Sequence, residues 1–500
     1  MGRDGERGER GERGERATRD DEAELAALGY GQDLLRAMGG FSSFALSFSI
    51  ISVLTGILTT FSDALGPGGP RGVGLGWPLV SVGTLVVALA LAELSSAFPT
   101  AGALYHWSAL LGGPGFGWFT ASMNLVGQFA IVAAIDFGFA RELGALTGIH
   151  PLALFAAVLA THAALNAAST GAVAKLNDLS AVVHIAGVVA LVVALLAFAD
   201  KRAPSFLLTA STNRPDGDAG MGFGNALILS LFTFTGYDAS AHLAEETRDP
   251  ARGSPMGILS AVLVSSVFGY ALVVALTLSI HDLPAAAADD HAALFVLRHA
   301  LGPQGGSLGM GLALVAMWFC GLSSLTSASR TLYAFARDGG VPFSRPLATV
   351  APSTKTPVAA ILTVASISLG FVLVSSLVRE RVFALAVQVA TMGLYVSYGL
   401  PIALGVRARL AGRLTRRGPF HLGRLSVPLG VAASLWCVGV LVVCSLPPNL
   451  GAGGVLAGLA AALGLLWLTW VRGRFQGPRV QLVDLEARAT TADDEAAPSP

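Results

Sequence analysis

Residues 47–61 read SFSIISVLTGILTTF, and residues 229–243 read LSLFTFTGYDASAHL. Each is strongly apolar, and each carries a Thr-Gly pair near its middle: Leu54-Thr55-Gly56-Ile57 in the first, Phe234-Thr235-Gly236-Tyr237 in the second. Glycine weakens a helix by about 1 kcal/mol, and threonine is also a poor helix former. Both runs are therefore expected to break at these pairs. Backbone freed from a helix leaves N–H and C=O groups that cost several kcal/mol each in hydrocarbon, so it is tolerated only where it lines a polar cavity. Interruptions at matching places in two halves of a chain point to an inverted-repeat transporter with its site near mid-membrane. The competing reading of a membrane glycine is close helix packing. Two matched Thr-Gly pairs weigh against that reading without removing it.

Outward from these stretches, the chain divides into apolar runs long enough to span a bilayer, which takes about 20 residues. Twelve are expected, at roughly 41–65, 76–98, 116–141, 151–169, 178–199, 222–243, 255–280, 307–329, 357–377, 382–405, 426–446 and 450–471. A membrane β-barrel would show alternating segments of about 10 residues instead. The expected fold is an all-α integral membrane protein of 12 transmembrane helices. Spans 1–5 (41–199) and 6–10 (200–405) would form a 5+5 inverted repeat, with two C-terminal helices in 406–475. Residues 1–40 and 476–500 are expected as polar, largely disordered cytosolic tails, the first with a GERGERGERGER run from Gly5 to Arg16. The polar start argues against a cleavable secretory signal, and the first apolar run would serve as an uncleaved insertion signal.

Composition agrees. The 500 residues are 53% hydrophobic and 13% charged, against about 25% charged in soluble proteins. So few charges exclude a soluble enzyme and a disordered scaffold. With 32 basic and 32 acidic residues, no net field calls for nucleic acid. Cys320, Cys437 and Cys444 lie in apolar runs without metal-ligand spacing, and no cofactor is expected. With the N-terminus in the cytosol, the expected inside segments hold 24 of the 32 Lys and Arg residues and the outside segments 8. That bias places both termini in the cytosol of a multi-pass protein of the cytoplasmic membrane.

The broken helices also suggest what they bind. The second half of span 1 would present bare N–H groups and a positive dipole end, which suit a carboxylate. The first half of span 6 would end in bare carbonyls, which suit an ammonium group. A zwitterion is matched at both ends.

The strings SIISVLTGI (49–57), AELSSAFPTAGALYHWSAL (92–110), NLVGQFA and AIDFGFA (within 124–140), TFTGYDASAHLAEET (233–247), CGLSSLTSASRTLYAFARDGGVPFS (320–344) and TPVAA (356–360) resemble the amino acid–polyamine–organocation superfamily. Within it they resemble the amino acid/choline transporter branch, which includes γ-aminobutyrate, choline and basic amino acid permeases. Ala103 stands where that branch often has a second glycine, a departure expected to change little. The resemblance implies the architecture of the sodium-coupled leucine transporter, alternating access about a central site, and a substrate carrying an amine. It implies substrate contacts at Ser52, Val53, Leu54, Thr55, Gly56 and Ile57, and at Phe234, Thr235, Gly236, Tyr237 and Asp238. It also implies that Ser323 and Ser324 ligate Na⁺ in a sodium-coupled member, or that Lys175 replaces that cation in a proton-driven one. Their ordinary alternatives are small-residue packing and a positive-inside anchor.

Other residues are read individually. Asp238 is either a counter-charge for the amine or the N-cap of the second half of span 6. Asn124, Gln128 and Asp136 share one face of span 3. They would line the cavity, with Asp136 as a proton-coupling group, or make interhelical hydrogen bonds. His184 would be a buried, hydrogen-bonded histidine, and Phe234 and Tyr237 aromatic lids over the substrate. Glu93, Glu245, Glu246, Arg330 and Arg337 close spans 2, 6 and 8 at the cytosolic face, where they would pair as an inner gate or be solvated at the interface. Tyr105, His106 and Trp107 look like an interfacial aromatic belt.

The expected function is secondary active transport of an amino acid or related amine, driven by H⁺ in preference to Na⁺. Choline or a polyamine is the alternative substrate, and an ion channel the more distant alternative. A channel would show a selectivity filter or charged rings. The absence of HExxH and P-loop motifs argues against a membrane enzyme.

Overall fold

The computed structural model describes residues 21–23, 25–210, 219–378, 382–447, 449–479 and 482. Among them the only β-type pairing is one parallel bridge, Met38 to Thr247. Everything else regular is helix, the form that pairs its own backbone in hydrocarbon.

The chain order is α1 Gly40–Ile51, α2 Val53–Ala97, α3 Leu104–Gly112, α4 Pro114–Thr147, α5 Pro151–Ala168, α6 Thr170–Phe198, α7 Ala219–Thr233, α8 Ala239–His242, α9 Pro250–Leu278, α10 Leu283–Ala288, α11 Ala292–Arg337, α12 Ser344–Leu347, α13 Val358–Val378, α14 Val382–Leu410, α15 Ser426–Ser445 and α16 Leu450–Leu466. Ten helical segments among the described residues are long and apolar enough to cross a membrane. The sequence reading expected twelve, and the difference has two physical causes. Gly69, at φ 63, bends α2 into two legs, so the first two expected spans run on as one helical stretch, Gly40–Ala97. The sixth expected span is split, and its longer part, α7, has only 15 residues. A second Gly-Pro joint, Gly302 at φ 76 before Pro303, bends α11 in the same way. A proline following a glycine with positive φ ends the incoming helix and starts the next.

The core gathers around α2, α4, α7, α11 and α14, with α2 against α7 and α9, and α4 against α14. Trp77, Phe48, Phe61 and Tyr398 are fully buried there. By contrast α16 buries only Ala452 and stands at the periphery.

The expected free tail over 1–40 is corrected from residue 25 onward. Leu25, Leu28, Tyr30, Leu34 and Met38 are buried. The Met38 N–H donates to the Glu246 carbonyl (3.0 Å), and the Arg248 N–H to Met38 (3.0 Å). The apolar spacing 25, 28, 34, 38 gives this segment a face to pack. The GER run and residues 483–500 lie outside the described residues.

Candidate functional site between two broken helices

The first break is one residue wide. Ser52 adopts φ 33, ψ 81 and separates α1 from α2. Its left-handed backbone is unfavourable for a residue with a Cβ, and its hydroxyl offsets that cost. Ser52 Oγ accepts the Thr55 N–H (3.3 Å) and shares a hydrogen bond with His184 Nε2 of α6 (2.6 Å). Ser49 Oγ donates to Ser180 Oγ, one turn from His184 (2.7 Å). The break therefore lies at Ser52, earlier than the Thr55-Gly56 pair where the sequence placed it, and Gly56 is inside α2. Gly56 allows close packing instead: a Cβ there would fall 2.1 Å from Thr233 Oγ1 of α7.

The second break spans residues 234–238, between α7 and α8. Gly236 has φ 89, and a Cβ on it would meet Ile50 Cγ2 of α1 at 2.2 Å. The Gly236 N–H donates to Tyr398 Oη (3.1 Å), and Tyr398 Oη donates to Asp238 Oδ1 (2.8 Å). Asp238 Oδ2 contacts His242 Nε2 at 3.0 Å. Asp238 stands at the N-cap position of α8, but its carboxylate makes no capping bond. It faces Tyr398 and His242 instead, which corrects the capping alternative. Serines join the breaks directly: Ser47 Oγ donates to the Tyr237 carbonyl (2.9 Å), and the Ser240 N–H donates to Ser47 Oγ (3.0 Å).

Two small hollows lie between the breaks. The first is lined by Thr55 and Gly56 from one side and by Thr233 and Thr235 from the other, with Ile135 and Cys320 completing it. Gln128, Ser324, Ile50, Gly236 and Asp238 line the second. Each has room for on the order of one water. The breaks meet in a closed arrangement.

Charged residues close one end. Arg337 holds Glu245 through two bonds (2.9 and 2.8 Å), and the Ala101 N–H donates to the same carboxylate (3.1 Å). Burial alone would raise the Glu245 carboxyl, but the Arg337 charge and these hydrogen bonds hold it below its ordinary value. Arg330 Nε donates to Glu246 Oε1 (2.7 Å), with both side chains fully buried. Asp338 Oδ2 accepts from Tyr30 (2.9 Å) and Tyr105 (3.0 Å) and contacts His106 Nε2 (3.0 Å). Against the upward pull of burial, these contacts and Arg337 hold Asp338 low. The Tyr30 ring lies under the Arg337 guanidinium at 4.1 Å, so the segment before α1 covers the pairs.

Four of the five gate residues thus come together. Glu93 does not join them: it binds Arg409 (3.0 Å), the Ser426 hydroxyl (2.7 Å) and the Leu422 N–H (3.0 Å). Glu93 closes the second leg of α2 beside the segment joining α14 to α15, which supplies its partners. Tyr105, His106 and Trp107 are buried under this end, at 2%, 1% and 0% exposure, and are not an interfacial belt.

The ion-coupling candidates separate. Lys175 is exposed on α6 and enters no cavity, which leaves it as an anchor. Ser323 Oγ donates to Asn177 Oδ1 (2.8 Å) and Ser324 Oγ to the Cys320 carbonyl (2.8 Å). The group of α11 that touches the first break is Cys320, whose thiol donates to the Ile50 carbonyl (3.2 Å). Gln128 donates to Asn124 (2.6 Å) and to Thr331 (2.9 Å), and Asn124 to Ser397 (3.0 Å). Asp136 is turned elsewhere, onto His162 of α5. Phe234 packs on Trp77 and lines neither hollow. Tyr237 lies tilted against Tyr398, with ring centroids 5.0 Å apart, and likewise lines neither hollow.

Tyr398, His184, His242, Cys320 and Asn177 complete the site beyond the residues singled out for it from sequence. Tyr395 and Tyr398, three apart within the apolar α14, were the one local signal for that helix.

Comparison with known proteins identifies the family of the chain. The amino acid permease family matches residues 38–469. The amino-acid permease BAT1 of Arabidopsis thaliana is 35% identical over 501 residues, covering 91% of this chain and 96% of the relative. A BAT1 homologue of Oryza sativa subsp. japonica is 36% identical, covering 92% and 96%. The GABA-specific permease of Saccharomyces cerevisiae is 28% identical, covering 84% and 78%.

Proposed function

Because the chain belongs to the amino acid permease family, a group of transporters within the amino acid–polyamine–organocation superfamily, we propose that it moves an amino acid or a closely related amine by alternating access between the two broken helices. One observation carries this reading. The interruptions at Ser52 and at 234–238 face each other across hollows that both helices line.

In the proposed binding mode, the substrate carboxylate takes the N–H groups of Val53 and Leu54, at the start of α2, where a helix lacks internal partners. The ammonium group takes carbonyls at the end of α7 and the carboxylate of Asp238. Opening toward the cytosol breaks the Arg337–Glu245 and Arg330–Glu246 pairs and lifts the Tyr30 segment. Twelve crossings then follow, with the two legs of α2 and the split α7–α8 helix each counted by crossing. Spans 1–5 and 6–10 form the inverted repeats, and α15 and α16 the appendix. The 24:8 distribution of basic residues supports a reading with both termini in the cytosol and the protein in the cytoplasmic membrane.

The names of the relatives, amino-acid permease and GABA-specific permease, support amino acids or γ-aminobutyrate as the substrate class. We take H⁺ as the coupling ion. Lys175 no longer supports that choice, and Ser323 and Ser324 are already engaged within the protein. Choline or a polyamine is the second reading, favoured by the Tyr237–Tyr398 ring pair beside Asp238, which suits a cation–π contact.

Thermal denaturation of the purified protein with single amino acids, γ-aminobutyrate, choline and polyamines tests the substrate class. A ligand of the native state raises the midpoint by mass action. A shift with an amino acid or γ-aminobutyrate supports the proposal; shifts confined to choline or polyamines move it to the second reading.

A further inference from the structure

Behind the first hollow and away from the gate, Asp136 of α4 and His162 of α5 face each other. Asp136 Oδ2 lies 3.2 Å from His162 Nδ1, and the two side chains are 1% and 0% exposed. On each partner one polar atom is left over: Asp136 Oδ1 and His162 Nε2 are buried without a hydrogen-bond partner. The surroundings are apolar, with the Trp318 ring edge-on to the imidazole at 5.2 Å.

The pair is let in by one glycine. A Cβ on Gly321 of α11 would fall 2.0 Å from Asp136 Oδ1 and 2.6 Å from His162 Cε1. Its neighbour Cys320 donates to the Ile50 carbonyl at the first break. Ile135, next to Asp136, shares the wall of the first hollow with Cys320. The pair therefore sits one residue behind the cavity wall on two helices.

No other charge faces it. Within α11, positions 303–329 hold no charged residue, and α13 holds none. The nearby part of α2 offers Thr55 and Thr59, and α14 carries no charge before Arg407. On α4 itself, Arg141 and Glu142 pair with each other, and Glu142 also with His291 (2.9 Å). On α6, Lys175 is exposed, Asp178 is half-buried, and His184 is held by Ser52 and Ser180.

We propose that Asp136 and His162 form the proton-binding site that couples transport, holding one proton between them whenever the cavity is closed. The inference rests on the H⁺-driven reading above. Its physical basis is charge. With neutral His162, an ionised Asp136 leaves the pair at −1 in apolar surroundings, which is costly. One added proton, taken at either of the two unpartnered atoms, brings the pair to zero. The closed state therefore retains the proton. Release waits until the cavity opens and water passes the Ile135–Cys320 wall to hydrate the carboxylate. No bond other than the proton's is made or broken.

The test uses the full-length protein in proteoliposomes. The probe is a radiolabelled mixture of proteinogenic amino acids and γ-aminobutyrate. In the wild type, an inward proton gradient should drive accumulation in Na⁺-free medium. Asp136→Asn, which mimics the protonated carboxyl, should keep counterflow at equal pH within about threefold while gradient-driven accumulation falls at least tenfold. A merely structural role would lower both together, and an unchanged response to the gradient would likewise overturn the proposal. Wild-type uptake that ignores the gradient and needs Na⁺ would instead overturn the H⁺ reading beneath it. An infrared titration of the protein without substrate gives a second measurement should the variant not fold. A band of the protonated pair whose frequency or titration midpoint moves in His162→Gln supports the shared proton, and a spectrum that residue 162 leaves unchanged overturns it.

Discussion

The same dipeptide, Thr-Gly, occurs in both apolar stretches, and the two copies do different physical work. In the second stretch Gly236 supplies a backbone conformation, φ 89, that a side chain would strain, and it sits at the bend itself. In the first stretch Gly56 has helical neighbours on both sides and supplies space, so that α2 can lie on Thr233. The bend there belongs to Ser52. One break is a five-residue turn pinned by Tyr398 and Asp238. The other is a single strained residue pinned by His184. A glycine in a membrane helix is therefore ambiguous until its neighbours are known: close approach and positive φ leave the same letter in the sequence.

The largest expected effect separates these roles. Gly56→Leu and Gly236→Leu should each reduce uptake to background while insertion persists, and normal uptake in both would remove the broken-helix site. The alanine variants sharpen the contrast. Gly56→Ala should be restored substantially by Thr233→Gly, because its defect is a collision. Gly236→Ala should stay defective even with Ile50→Ala, because the left-handed backbone still costs about 1–2 kcal/mol. Uptake measured in the four backgrounds decides this, and equal rescue at the two sites would erase the distinction.

Next is the end of the second broken helix. Glu246→Gln leaves Arg330 buried without its counter-charge and should lower stability in detergent by about 3–5 kcal/mol. Thermal unfolding monitored by size-exclusion chromatography checks it; a loss below about 1 kcal/mol would mean the pair is more hydrated than its burial indicates. At the first break, Ser52→Ala keeps the strain and removes the hydroxyl, and should cost about 1–3 kcal/mol. Ser52→Gly relieves the strain and should be milder, and the reverse order would show that the left-handed backbone is not a cost there. The smallest effect concerns Ala103, at φ 40 with no side-chain bond to compensate. Ala103→Gly should raise stability by about 1 kcal/mol. A lower melting point would contradict that sign.

These contrasts also explain what was legible from sequence. The helical membrane character was legible because hydrocarbon leaves the backbone few options, and Gly236 and Asp238 were legible because turn chemistry is local. Ser52 was not, since its conformation depends on His184, 132 positions away. The pairings of Glu245 and Glu246 followed from charge at one face, but Glu93 pairs with Arg409 at the end of α14 instead. Lys175 drew attention as a charge at a helix start, and only packing tells that it points outward. The order of residues 25–39 was hidden because its apolar face is short and its partners are loops of other helices. Asp136 was flagged for its cost, whereas its partner His162 lies on a different helix and has no motif.

The central claim is that a small zwitterion binds between the bare backbone of two interrupted helices. A cryo-EM map of the protein with whichever ligand gives the largest thermal shift tests it most directly. The account expects density between residues 52–57 and 234–238, with the carboxylate on the amides of Val53 and Leu54 and the amine toward Asp238. Density elsewhere in the bundle, or continuous helices through Ser52 and Gly236, would contradict it.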